Sequence, residues 1–136
     1  MNTDRSVLII DDDPVFTKVA MAVLESHGYR TDSAKDGREG LEKMRNKPPD
    51  LVLLDVMMPW VLEGVNVSRE MMEDSRLRGI PLIICTSISG SEYRDAFPQD
   101  EYLHVDGWLD KPCPPDKLVG EIEAVLSHHE QFKKDA

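Results

Sequence analysis

The chain has 136 residues, 40% hydrophobic and 31% charged, which is enough to bury a core without disulfides or a structural metal and excludes an intrinsically disordered composition. Its 26 acidic and 16 basic side chains give a formal charge of -10, a field that repels phosphate backbones and anionic lipid and argues against direct binding of nucleic acid or membranes. No apolar run approaches the roughly 20 residues of a membrane span, and the opening Met1-Asn2-Thr3-Asp4-Arg5 lacks a signal peptide's apolar stretch, so a cytoplasmic protein with free thiols at Cys85 and Cys113 is expected.

Val7-Leu8-Ile9-Ile10 is a short, continuous apolar run, the pattern of a strand covered on both faces. Asp13 followed by Pro14 supplies an N-cap and a first helical residue, and Val15, Phe16, Val19, Ala20, Val23 and Leu24 repeat at helical spacing until Gly28. Tyr29 to Ser33 is a weak second strand. Asp36 then caps a helix that carries Leu41 and Met44 and ends at Pro48-Pro49. Leu51-Val52-Leu53-Leu54 and Pro81-Leu82-Ile83-Ile84-Cys85 repeat the buried-strand signature, with a helix between them carrying Val67, Met71 and Met72. Trp108-Leu109 is a short fifth strand, and Leu118, Ile122, Val125 and Leu126 mark a closing amphipathic helix. The end of the chain, Phe132 to Ala136, is expected to fray.

Alternating strands and helices favour a parallel sheet with helices on both faces. The expected fold is therefore α/β and doubly wound, one domain over residues 1–136 with a core of about 6–128 and a short tail at 129–136. In such sheets a ligand site lies beyond the carboxyl ends of the strands, where strand order reverses. Asp11-Asp12 follow the first strand, Asp55 ends the third, Thr86-Ser87 follow the fourth and Lys111 lies just past the fifth. If the order is 2-1-3-4-5, three carboxylates, a hydroxyl and an ammonium share one rim.

Three carboxylates together repel one another unless a cation offsets them, and hard oxygen donors suit Mg²⁺. A carboxylate at Asp55 needs no general base to act as a nucleophile toward phosphorus. Taken singly, each residue has an ordinary reading: Asp13 is a helix cap, an Asp after a strand is commonly a turn residue, and a Thr or Lys there is commonly solvated. His27 and His128-His129 are expected near helix C-termini, where the dipole explains them without a metal. Loop composition does not account for the acids, Thr86 and Lys111 occurring together at strand ends.

Val-Leu-Ile-Ile-Asp11-Asp12-Asp-Pro, Leu-Val-Leu-Leu-Asp55-Val-Met-Met-Pro59, Pro-Leu-Ile-Ile-Cys-Thr86-Ser87 and Asp-Lys111-Pro112 resemble, in order, the signature blocks of response-regulator receiver domains of two-component signalling, from about Ser6 to Ser127. The resemblance implies a CheY-like fold and a phosphoryl group received on Asp55 from a histidine kinase or a histidine phosphotransfer protein. It implies Mg²⁺ held by Asp12 directly, by Asp11 through water, by Asp55 and by the backbone carbonyl of Met57. Thr86 would turn toward the phosphoryl group, Lys111 would pair with it, and the N–H groups of Met57 and Ser87 would hydrogen-bond it. The chain is then a switch that modifies itself rather than an enzyme with turnover, and it signals to a downstream protein through a changed surface.

Two departures bear on output. Trp108 stands where the family usually has a rotating Tyr or Phe, and Pro98 falls in the stretch that normally forms the helix between the fourth and fifth strands. The surface around Trp108, Pro98 and the closing helix is expected to carry output, with a restrained switch. A phosphorylation-independent interaction module on the same fold is the alternative, and a Mg²⁺-dependent phosphatase ranks behind both. The chain resembles stand-alone receivers, and a segment of a longer protein would read the same.

Overall fold

The computed structural model describes residues 5–55, 61–86, 106–110 and 113–135, with 61–65, 86 and 129–135 described by their backbone. In chain order the elements are β1 (Ser6–Ile10), α1 (Pro14–Ser26), β2 (Arg30–Ala34), α2 (Gly37–Asn46), β3 (Leu51–Asp55), α3 (Val61–Glu73), β4 (Leu82–Thr86), β5 (Gly107–Asp110) and α4 (Pro115–Asp135). The five strands form one sheet in the order β2-β1-β3-β4-β5, and every neighbouring pair is parallel, as expected from the alternation of elements.

The strands read as unbroken apolar runs because both faces are covered. Side chains alternate across the sheet, so Leu8, Ile10, Val52, Leu54, Leu82 and Ile84 point into one core with Leu41 and Met44 of α2 and Val67 and Met71 of α3. Val7, Ile9, Leu51, Leu53, Ile83, Cys85 and Leu109 point into the other, with Ala20 and Leu24 of α1 and Leu118, Ile122 and Val125 of α4. Thus α1 packs beside α4 on one face and α2 beside α3 on the other. Leu77 and Ile80, in the turn after α3, are also buried there. Sequence periodicity does not reveal them, since they belong to no regular element.

Local chemistry sets the boundaries. Asp13 caps α1, its carboxylate accepting from the N–H of Val15 at 3.0 Å and of Phe16 at 3.4 Å, with Pro14 in the first turn. The helix ends in a Schellman arrangement: Gly28 at φ 90° donates to the Glu25 carbonyl at 3.1 Å and Tyr29 to the Leu24 carbonyl at 3.1 Å. Tyr29 therefore belongs to this cap, and β2 starts one residue later than expected, where Arg30 N–H pairs with the Arg5 carbonyl at 2.8 Å. Asp36 caps α2 by accepting from Glu39 N–H at 2.9 Å. Pro81 lacks an N–H and stays outside β4, which instead runs on to Thr86.

Two carboxylates close the ladder at the amino ends of strands. Asp50 accepts from Ser6 N–H at 2.8 Å, and Asp106 accepts from Leu82 N–H at 2.8 Å. The closing helix α4 continues to Asp135, and 116–135 contains no proline and Gly120 as its one glycine. His128-His129 consequently lie inside α4, whereas His27 does cap α1, with Nδ1 3.0 Å from the Val23 carbonyl.

Candidate functional site

Register aligns the strand ends. Ile10 of β1 is opposite Leu54 of β3 and Ala34 of β2, so Asp11 and Asp55 each follow a paired apolar residue at the same level of adjacent strands. Asp55 is opposite Cys85, and Thr86 is opposite Asp110, the residue before Lys111. The reversal of strand order occurs between β1 and β3, where the ligand site of such sheets is expected.

Three consecutive acids at the end of β1 occupy different environments. Asp11 is only 6% exposed. Its N–H extends the ladder to the Ala34 carbonyl at 2.9 Å, and its Oδ1 accepts from Asp13 N–H at 2.8 Å. That short Asx-type turn fixes the carboxylate against the rim. Asp12 is exposed, and Asp13 is committed to α1 as its cap. Asp55, at the end of β3, is half-buried, with Oδ1 shielded from solvent.

Asp11, Asp12 and Asp55 each direct a carboxylate oxygen into a group whose atoms all lie within 4.8 Å of one another. Water screens such close charges poorly once one of them is buried, so the set is costly without a counter-ion. The donors are hard anionic oxygens, and their spacing accommodates a small divalent cation that keeps part of its water shell. The residues thus fit a Mg²⁺-like ion.

Of the other residues singled out from sequence, the Thr86 backbone ends β4 at this rim. Met57, Ser87, Lys111, Pro59 and Pro98 lie outside the described residues. Trp108 is half-buried and packs against the core beneath α2 and α3, the opposite face of the sheet from α4. Just past β5, burial pushes the Cys113 thiol above its ordinary pKa, with Lys117 opposing. Asp74, at the end of α3, is held below its ordinary pKa by the backbone N–H and guanidinium of Arg76, which makes it part of a surface ion-pair group with Arg45 at 3.5 Å.

One feature near the rim escapes the sequence pattern. Of the six apolar residues read along α1, Ala20 and Leu24 enter the core, while Val15 and Val19 are 72% and 55% exposed. The signal was present in the width of the pattern, since those six positions cover two adjoining i, i+4 ridges: Phe16, Ala20 and Leu24 face the core, whereas of Val15, Val19 and Val23 it is Val23 that packs against it.

The profile of the response regulator receiver domain matches residues 7–123. The chain is 32% identical over 124 residues to Protein PilH of Pseudomonas aeruginosa, covering 89% of this chain and 97% of PilH. It is 35% identical over 126 residues to a Guillardia theta protein described as "Probable transcriptional regulator ycf27", covering 93% of this chain and 47% of that one. It therefore spans about half the length of the ycf27 relative and nearly all of PilH. Among solved structures, chemotaxis response regulator CheY4 of Vibrio cholerae superposes with a TM-score of 0.78 at 27% identity, over 89% of this chain and 98% of that one. No helix among the described residues is long and apolar enough to cross a membrane.

Proposed function

Because the chain belongs to the response regulator receiver domain family, we propose that Asp55 accepts a phosphoryl group from a histidine kinase or a histidine phosphotransfer protein, in a Mg²⁺-dependent reaction, and that a changed protein-binding surface passes the signal on. The observation that carries this reading is the grouping of the Asp11, Asp12 and Asp55 carboxylates at the β1/β3 switch point.

The Asp55 carboxylate acts as the nucleophile. An Asp55 oxygen–phosphorus bond forms as the donor's phosphorus–nitrogen bond breaks, and the electron pair of the broken bond returns to the donor imidazole. Asp12 would hold Mg²⁺ directly, Asp11 through water, and Asp55 and the Met57 carbonyl would complete the protein's share. When bound, the ion offsets charge on the equatorial phosphoryl oxygens. Lys111 pairs with the transferred group, and the Thr86 hydroxyl and the N–H groups of Met57 and Ser87 hydrogen-bond it. The Asx turn from Asp13 N–H to Asp11 keeps one acid of the set oriented before the ion binds, which lowers the ordering needed on binding.

In this reading the chain is a single receiver domain over 1–136 and a switch that modifies itself rather than a turnover enzyme. The charge of -10 and two free thiols support a cytoplasmic setting without direct nucleic-acid or membrane contact.

A Mg²⁺ titration followed by intrinsic fluorescence tests the division of labour among the acids. Asp12→Ala should weaken apparent Mg²⁺ affinity by at least about tenfold, as loss of a ligand or its support does, whereas Asp13→Ala should cost helix stability of about 1 kcal/mol with affinity little changed. Equal loss of affinity in the two variants would reject the assignment.

A further inference from the structure

We propose that Gly40 is a positioning residue for the metal site: by letting the backbone of α2 sit directly on Ile10, it sets where β1 delivers the Asp11 carboxylate. The inference rests on the reading of Asp11, Asp12 and Asp55 as a Mg²⁺ site. A glycine in the first turn of α2 lowers the helix propensity of that segment, so its presence calls for a local cause. At the exposed Gly120 of α4 a Cβ would meet nothing within 4 Å, whereas at Gly40 it would meet Ile10 Cδ1, with Cγ1 at 2.8 Å and Cγ2 at 3.7 Å.

Ile10 is the last residue of β1, 2% exposed and placed between Ala34 of β2 and Leu54 of β3 by the sheet register. Its side chain is enclosed by the core that α2 and α3 cover, where close packing leaves an added methyl little room. The methyl must therefore displace either Ile10 or α2, and both displacements lead to Asp11. Ile10 precedes Asp11 in the chain. The helix reaches it by another route: Gly40 N–H donates to the Asp36 carbonyl at 3.0 Å, Asp36 caps α2, and two residues before that cap the Ala34 carbonyl accepts from Asp11 N–H at 2.9 Å.

Asp11 is thus tied into a closed circuit through Ile10, Gly40, Asp36 and Ala34, while its carboxylate accepts from Asp13 N–H at 2.8 Å. It is also the buried member of the three acids, so it has the least freedom to turn back toward the other two once its backbone moves. A hard divalent ion needs its oxygen donors at near-fixed distances. Metal affinity therefore senses a shift of the end of β1 that fold stability alone does not report.

Mg²⁺ titrations followed by amide resonances of the labelled protein would compare wild type with Gly40→Ala, Ile10→Val and the double variant, alongside two controls. Ile122→Val loses a buried methyl in the other core, and Gly120→Ala adds one where there is space. Gly40→Ala should weaken apparent Mg²⁺ affinity by about tenfold, as loss of support behind a metal ligand does. Ile10→Val alone, which opens a gap at the same contact, should weaken it less. The double variant should lie closer to wild type than Gly40→Ala, because valine lacks the Cδ1 that a Cβ at position 40 would meet. Both controls should bind as wild type does. The inference is overturned if Gly40→Ala keeps wild-type affinity or, should that variant not fold, if Ile10→Val keeps it. It is equally overturned if Ile122→Val loses as much affinity, or if the double variant binds no better than Gly40→Ala. A wild type that does not respond to Mg²⁺ overturns the metal reading and this inference together, whereas a wild-type response that Gly40→Ala leaves unchanged overturns this inference alone.

Discussion

The hydroxyl of Thr17 in α1 is shielded from solvent and makes no hydrogen bond among the described residues. A buried hydroxyl without a partner has lost its water without replacement, at a cost of about 1–3 kcal/mol. Thr17→Val keeps the shape and removes the polar atom, so it should raise stability by about 1 kcal/mol in a urea melt. A drop of similar size would mean that the hydroxyl is satisfied in solution. The same scale separates the acids after β1. Asp13 was legible as a cap because Asp-Pro before an apolar-periodic stretch is a start signal with a mechanism. That Asp11 is buried and fixed by Asp13 N–H was not legible, because three successive aspartates look alike until the chain's turn decides which one faces inward.

At the scale of elements, the strands were readable because burial on both faces leaves unbroken apolar runs, and Val7 to Ile10 and Leu51 to Leu54 lie where those runs placed them. The second strand was read one residue early because the Schellman cap draws Tyr29 back onto Leu24, a contact that depends on Gly28 and not on the strand's own residues. The packing of α2 on β1 depends on Gly40: a Cβ there would meet Ile10 Cδ1, with Cγ1 at 2.8 Å, and Ile10 is itself buried. Overpacking costs about 1–3 kcal/mol against about 1 kcal/mol gained in helix propensity, so Gly40→Ala should destabilise by about 1 kcal/mol. Adding Ile10→Val should recover part of that loss, and a strictly additive double mutant would contradict the close contact. The outward ridge of α1 invites a different test. Val15 and Val19 are exposed beside the acidic rim, where a protein donor must approach. Val15→Lys with Val19→Lys should slow phosphotransfer from a histidine kinase active on the wild type by about tenfold or more, while stability stays within about 0.5 kcal/mol and labelling by acetyl phosphate is unchanged. Unaltered transfer from the kinase would remove α1 from the donor interface.

For the whole molecule, the sheet order turns residues scattered along the sequence into one rim. Asp11 and Asp55 are distant in the chain and adjacent only because β1 pairs with β3. The sequence motifs anticipated the convergence of Asp11, Asp12 and Asp55. The central claim is that Asp55 is the residue phosphorylated. The direct measurement is incubation with acetyl phosphate and Mg²⁺, intact-mass detection of the adduct, and borohydride reduction followed by peptide sequencing to locate it. The account predicts one phosphoryl adduct per chain, abolished by EDTA, reduced to homoserine at position 55, and absent from Asp55→Asn. Equal labelling of Asp55→Asn, or homoserine at Asp11 or Asp12 in the wild type, would contradict it.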